Sequence, residues 1–268
     1  MSESSTPAEV MSESGAPVTA MPWHDWRSAT TARIALGRAG VSIPTDEALR
    51  FGLAHALARD AIHTPLDVAV MQAELEQAGH AVLATHSRAA DRGSYLRRPD
   101  LGRQLDPSDL ERLRALAASG ERAPDLAIVI GDGLSCLAVQ RHAAPLLAAL
   151  LPQLAPGTLL APLVLVQQAR VAVADDVGEA LQARISVILI GERPGLSSPD
   201  SLGIYLTHGP RRGRTDAERN CISNVRAEGL SYVGAARKLA WLIAQALMTG
   251  TSGIALKDQS EDLWVLPG

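Results

Sequence analysis

Ile185 to Thr207 reads ISVILIGERPGLSSPDSLGIYLT, an apolar run that stops at Gly191-Glu192-Arg193-Pro194-Gly195 and resumes at Leu202. Ile185, Val187, Ile188, Leu189 and Ile190 are too continuously apolar for a strand with one wet face. Their β-branching and the Gly/Pro stop argue against a helix. The run predicts a strand covered on both faces, as in a parallel sheet flanked by helices. In such sheets ligands sit beyond the carboxyl ends of the strands, so Glu192 and its neighbours stand where recognition is expected, against the plainer reading of a surface turn. The connection from Gly195 to Gly203 is too short for a parallel crossover, which places Ile204-Tyr205-Leu206 antiparallel or at a sheet edge.

Upstream, Leu126 to Ile130 is a second buried strand, followed by the tight turn Gly131-Asp132-Gly133 and a helical stretch from Leu134 to Leu151 that Pro145 is expected to interrupt or restart. Leu163 to Val166 reads as another strand and Ala174 to Ala183 as a crossover helix. These alternations are βαβ units. The glycine turn before a helix start could cradle an anion, although it lacks both the G-x-G-x-x-G spacing and the lysine of a phosphate-binding loop. Downstream, His208 to Arg219 is polar, Asn220 to Val225 is a polar loop or short strand, and Ala235 to Leu247 is an apolar helix ended by Gly250 and Gly253.

Towards the N-terminus the pattern turns helical. Leu49, Leu53, Leu57 and Ala61 recur every four residues after Thr45 and Asp46, and Val68, Met71, Leu75 and Ala78 share a face after Thr64-Pro65-Leu66-Asp67, which reads as a capped start with Pro65 at the first helical position. The two helices are expected to pair as a hairpin. Arg88 to Arg103, RAADRGSYLRRPDLGR, is dense enough in guanidinium groups to grip a phosphate or an acidic partner, or to be a solvated and internally paired surface. Ser108 to Ala118 is again helical. Trp23, Trp26, Ile34 and Leu36 supply apolar anchors for a docking segment ending near Gly40, and the Ser-, Glu- and Pro-rich residues before Trp23 read as a disordered extension. The chain thus divides into an extension (1–22), a helical region (23–120) and an α/β domain (121–268): an α/β fold with a mostly parallel, Rossmann-like sheet flanked by helices.

Composition narrows the function. With 268 residues, 47% hydrophobic but 3% aromatic, the core must be aliphatic. A net charge of −4 gives no general attraction for nucleic acid or anionic lipid. No apolar run approaches the ~20 residues of a membrane helix, and no secretory start is present, so a cytoplasmic protein is expected. Cys136 and Cys221 match no zinc spacing and read as reduced thiols. There is no G-x-S-x-G elbow for Ser135 or Ser197 and no H-E-x-x-H, and the seven histidines are scattered, so no catalytic or metal-ligating residue is assigned. Glu192 reads as a hydrogen-bond acceptor.

SRAADRGSYLRRPDLGR (87–103), LAIVIGDGLS (126–135), ILIGERPGLSSPDSLGIYLT (188–207), RNCISNVRAEGLSY (219–232) and GIALKD (253–258) resemble the small subunit of ethanolamine ammonia-lyase, with the likeness running from about Ala32 to Asp258. The resemblance implies a carbon–nitrogen lyase that converts ethanolamine to acetaldehyde and ammonia by radical chemistry. It implies a hetero-oligomer in which a large subunit holds the substrate and most of the radical chemistry, with adenosylcobalamin at the subunit interface bound base-on, and the absence of a D-x-H-x-x-G signature agrees with that. Three cofactor contacts carry over by motif: Val171 after Gln168-Ala169-Arg170, Glu192 in GERPG and Cys221 in RNCIS. Asp132 and Arg193 are added from their place at strand ends. In relatives the N-terminus directs the enzyme to a bacterial microcompartment, but residues 1–20 show little amphipathic helix, so at most weak encapsulation is expected. Two other readings stay open: a stand-alone nucleotide- or phosphate-binding protein built on the Gly131 turn, and a non-catalytic interaction module built on Arg88 to Arg103.

Overall fold

A computed structural model describes residues 9–11 and 17–260. The expectation of an extension over 1–22 falls in part outside them, as does any address it carries. The described chain forms two compact units: residues up to Arg59 together with Gly195–Ser197, and Asp60–Pro194 together with the chain from Ser198 onward.

In the smaller unit β1 (Glu9–Met11) pairs antiparallel with β2 (Pro17–Thr19), a short 3-10 helix spans His24–Ala29, and α1 runs from Thr45 to His63 into the larger unit. Glu47, buried at the first turn of α1, takes the guanidinium of Arg27 at 2.6 Å and that of Arg50 at 3.2 Å. The 3-10 helix is thereby tied to the start of α1.

The larger unit is the expected α/β layer. Its elements are α2 (Val68–Gln77), β3 (Val82–His86), α3 (Arg92–Arg97), α4 (Pro107–Ser119), β4 (Leu126–Gly131), α5 (Cys136–Leu150), β5 (Leu163–Gln167), α6 (Val173–Ala180), β6 (Ile185–Gly191), β7 (Leu202–His208), β8 (Arg219–Val225) and α7 (Tyr232–Thr249). One sheet runs β3-β5-β4-β6-β7-β8, parallel through β6 and antiparallel for the last two strands. Alternation sorts each strand to two cores. Leu126, Ile128, Leu165, Val187 and Leu189 meet α5 and α7 on one face, while Ala127, Val129, Val166, Ile188 and Ile190 lie with Val173 and Val177 of α6 on the other. This is why β4 is apolar at every position and β6 at every position but Ser186. Each Val, Leu and Ile among them contributes about 1.5–3 kcal/mol by leaving water.

Four local readings are corrected. β3 was missed: Val82-Leu83-Ala84-Thr85-His86 forms an edge strand beside β5, inside the region read as helical. Pro145 neither interrupts nor restarts α5, which runs continuously to Leu150. Proline has no N–H, so it forgoes one bond of the helix, and burial of Leu146, Leu147 and Leu150 behind it offsets the loss. Pro65 does not open α2, because Asp67 is the N-cap, its carboxylate accepting from Val70 N at 3.1 Å, while the Thr64 hydroxyl closes α1 on Asp60 O at 2.7 Å. Nor do α1 and α2 pair as an apolar hairpin. Met71 and Leu75 of α2 join the sheet core, and Leu49, Leu53 and Leu57 of α1 are exposed. No helix of the described residues is long and apolar enough to cross a membrane.

Candidate functional site

β4 and β6 are neighbours whose following loops, Asp132–Ser135 and Glu192–Ser201, occupy the carboxyl edge. The first is closed on the second. Gly133, at φ +60°, brings its Cα against the carbonyl of Gly191, where a Cβ could not fit, and Leu134 N donates to that carbonyl at 2.9 Å. Ser135 caps α5 toward Ala138 N (3.3 Å) and donates its hydroxyl to Pro199 O at 2.7 Å. Backbone thus fills the cradle that the glycine turn offered to an anion.

Asp132 is buried in that turn. Its two oxygens accept from Gln168 N and Ala169 N, each at 2.8 Å, with Arg92 Nη1 at 3.7 Å. Burial raises the carboxyl pKa, while the two amides and Arg92 oppose that shift. The pair of amide bonds holds Gln168 in a left-handed conformation, φ +57°. Arg92 donates Nε to Ile62 O at 2.7 Å and Nη1 to Gly133 O at 2.8 Å, and the guanidinium groups of Arg92 and Arg170 lie 4.6 and 4.2 Å from the Tyr95 ring centroid. Tyr95 donates its hydroxyl to Ala169 O at 3.0 Å. Asp132, Arg92, Tyr95 and Arg170 therefore form a brace that fixes the turn leading to Val171.

The exposed chemistry lies one strand further on. Glu192 donates its own N–H to Ser201 O at 2.9 Å, and its carboxylate accepts from the Ser201 hydroxyl and from Asn224 N at 3.4 Å. It lies flat over β7 because residue 203 is glycine: a Cβ there would stand 2.9 Å from Glu192 Oε1. Tyr205, two residues on and hence on the same face, is paired directly with Cys221 of β8. Burial raises the Tyr205 pKa, and burial raises that of Cys221 too, with the Tyr205 hydroxyl opposing it. Cys221 keeps solvent access.

Val171 precedes α6 and packs, like Tyr205, against the core cluster of this face. α6 is keyed to β8 by a fully buried pair: Arg219 donates to both oxygens of Asp175, at 2.8 and 2.7 Å, and to the Thr207 hydroxyl at 2.9 Å. Glu192 and Cys221 thus converge through Tyr205, and Val171 borders the same face at the head of α6. Asp132 stands apart as a brace. Arg193 is exposed and takes no part in the bonds of Glu192, which come from Ser201 and Asn224. Sequence reasoning missed Ser201, Gly203, Tyr205 and Asn224. The Gly203-x-Tyr205 alternation was a usable signal only once the register opposite Cys221 was known.

The Arg88–Arg103 segment is largely spent internally. Arg92 is in the brace, Arg98 pairs with Asp100 at 2.7 Å, and Arg88 donates to Gln104 at 2.8 Å.

A family model described as ethanolamine ammonia-lyase light chain matches residues 20–257. A protein of Ralstonia nicotianae named ethanolamine ammonia-lyase small subunit is 58% identical over 92% of this chain and 92% of its own. Proteins of the same name from Azotobacter vinelandii and Pseudomonas aeruginosa are each 58% identical, covering 91% and 90% of this chain and 91% and 88% of theirs.

Proposed function

The chain belongs to the ethanolamine ammonia-lyase light-chain family, and from that premise we propose that it is the small subunit of an adenosylcobalamin-dependent lyase that converts ethanolamine to acetaldehyde and ammonia. A small subunit implies a hetero-oligomer with a large one. In this reading the large subunit holds the substrate, and the present chain forms the other wall of the cofactor site.

The observation that carries it is the open face of β7 and β8, where Gly203 leaves room for Glu192 to lie over the sheet beside Tyr205 and Cys221. That face suits the edge of a corrin. A flat ring system rimmed by carboxamides needs apolar contact and hydrogen-bond acceptors, and here Val171 and Tyr205 supply the first and the Glu192 carboxylate the second. When bound, adenosylcobalamin supplies the radical that takes hydrogen from the carbinol carbon of the substrate. The work of this chain is to bind and to exclude water. Ser201 and Asn224 fix the Glu192 carboxylate so that an amide N–H meets a preset acceptor, and Asp175–Arg219 holds Val171 in place relative to Cys221.

The stand-alone nucleotide reading loses its basis where backbone closes the Gly131–Gly133 turn, and the module reading loses it where Arg92, Arg98 and Arg88 have internal partners. The decisive experiment measures acetaldehyde release from ethanolamine with adenosylcobalamin for this chain, for its large subunit and for the mixture. Activity confined to the mixture is expected. Turnover by this chain alone, or none from an associated mixture, would sink the reading.

A further inference from the structure

The loop that joins β6 to β7 is closed at its neck, where Glu192 N donates to Ser201 O at 2.9 Å and the Ser201 hydroxyl donates to the Glu192 carboxylate. The two residues before Ser201 are fastened to α5. Pro199 O accepts from the Ser135 hydroxyl at 2.7 Å, and Asp200 Oδ2 accepts from Arg141 Nη1 at 2.8 Å. A second residue of α5 faces the same carboxylate oxygen: His142, 5% exposed, has Nε2 at 3.5 Å from it, and that buried nitrogen has no hydrogen-bond partner. The other ring nitrogen of His142, Nδ1, lies 2.8 Å from the Tyr232 hydroxyl in the first turn of α7. With Tyr232 donating there, the imidazole proton sits on Nε2, toward Asp200. Burial raises the Asp200 pKa and the bond from Arg141 lowers it, the balance falling below the usual carboxylate value, so the group is an anion at neutral pH. α5 and α7 already share the sheet core through Leu146, Leu150, Leu239 and Ile243. What the polar chain Tyr232–His142–Asp200 adds is a hold on residues 199–201.

We propose that Asp200, held by Arg141 and His142, is a positioning residue for the cofactor site and sets the Glu192 carboxylate through Ser201. The inference rests on the reading of Glu192 as a hydrogen-bond acceptor for cobalamin. The route is short and lies wholly within the larger unit. α5 holds Pro199 and Asp200, the backbone carries that constraint one residue on to Ser201, and Ser201 meets Glu192 with both its carbonyl and its hydroxyl. The other donor to the carboxylate, Asn224 N on β8, stands at 3.4 Å, long for an N–H···O bond, which leaves Ser201 as the main restraint. Without the anchor on α5 the end of the loop is free to move, and the carboxylate has to be ordered when the cofactor binds, which lowers affinity. Asp200 needs no contact with the cofactor to have this effect.

The test uses the full chain assembled with its large subunit and reads the cobalamin dissociation constant by equilibrium dialysis. Asp200→Ala is expected to weaken binding about tenfold, and Asp200→Asn, which keeps an acceptor for Arg141, about threefold or less. The deciding comparison repeats Asp200→Ala in a Glu192→Ala chain, where the carboxylate to be positioned is gone. There it is expected to change the constant by less than about twofold, whereas a residue that only stabilised the fold would cost the same in both backgrounds. Hydrogen exchange gives a readout free of cofactor: in Asp200→Ala the Glu192 amide is expected to exchange at least about tenfold faster while the amides of β4 keep their wild-type rates. Equal losses in the two backgrounds, an Asp200→Ala constant within about twofold of wild type, or Glu192 exchange no faster than that of β4 relative to wild type would overturn the proposal and leave the cofactor reading intact. A wild-type complex that binds no cobalamin would overturn that reading, and this proposal with it.

Discussion

At the scale of single residues, the two cysteines show how placement outweighs type. Cys136 lies in the first turn of α5 with no solvent access, and burial pushes its thiol up to about 12. Cys221 is exposed on β8, yet burial of its flank raises its thiol as well. The thiolate is the reacting form, so iodoacetamide at pH 8 is expected to label Cys221 alone, and more slowly than a free cysteine. Peptide mapping of the native chain checks this. Labelling of Cys136 at a comparable rate would show that α5 opens readily. Glu192 supports a second prediction. Glu192→Gln keeps the shape but leaves one acceptor where there were two, so under the proposed cofactor reading the assembled enzyme is expected to bind cobalamin about ten- to a hundredfold more weakly, in line with the ~1.5–3 kcal/mol of a hydrogen bond to a charged group. Equilibrium dialysis of cobalamin measures the loss, and an unchanged dissociation constant would remove Glu192 from the site. The position of Glu192 at a strand end was readable from ISVILIGERPG. Its partners were not, because Ser201 and Asn224 reach it through loop closure and cross-strand register, neither of which leaves a local signal.

At the scale of elements, what could be read from sequence followed how strongly burial constrains composition. β4 and β6 have cores on both faces and are apolar but for Ser186, which makes them unmistakable. β3 lies at the sheet edge with four of its five residues only partly buried, and its Thr and His blurred the pattern. The stripe on α1 read as a core face, yet it is exposed, because periodicity reports that a face wants cover and not who covers it. The junction of α6 with β8 was invisible for a different reason: Asp175 and Arg219 are forty-four residues apart in sequence. Their guanidinium–carboxylate pair is buried on both sides, at 2 and 3% exposure. Asp175→Ala would strand the Arg219 charge among apolar groups and is expected to cost about 3–5 kcal/mol. Urea unfolding reads this directly. A loss under about 1 kcal/mol would mean that Thr207 and Asp216, which also contact Arg219, suffice to hold it.

At the scale of the whole molecule, the antiparallel end of the sheet carries a pH dependence. His208 ends β7, with its N–H donating to the Ser252 hydroxyl at 2.9 Å, and its pKa is lowered below 6.5 by burial and then by the nearby charges of Arg184 and Arg214. A histidine depressed in the folded state binds fewer protons than it does unfolded over the interval between the two pKa values. The stability tied to it is therefore fully present above about 6.5, declines as pH falls through that value, and levels off below the folded pKa. Carboxylates with depressed pKa, such as Glu218, held at about 2 by Thr215 and Arg214, act only on the far side of the unfolded value of 4.5. The region between neutrality and pH 5 is thus where His208 should be visible. His208→Asn retains the backbone bond to Ser252 and removes the titration. Thermal unfolding of the two proteins between pH 8 and 5 is expected to give midpoints that diverge at the high end and converge as pH falls, because only the wild type loses its contribution. Parallel curves would show that the imidazole is as free to protonate in the sheet as in the unfolded chain, and that the Arg184 and Arg214 charges are screened from it by water.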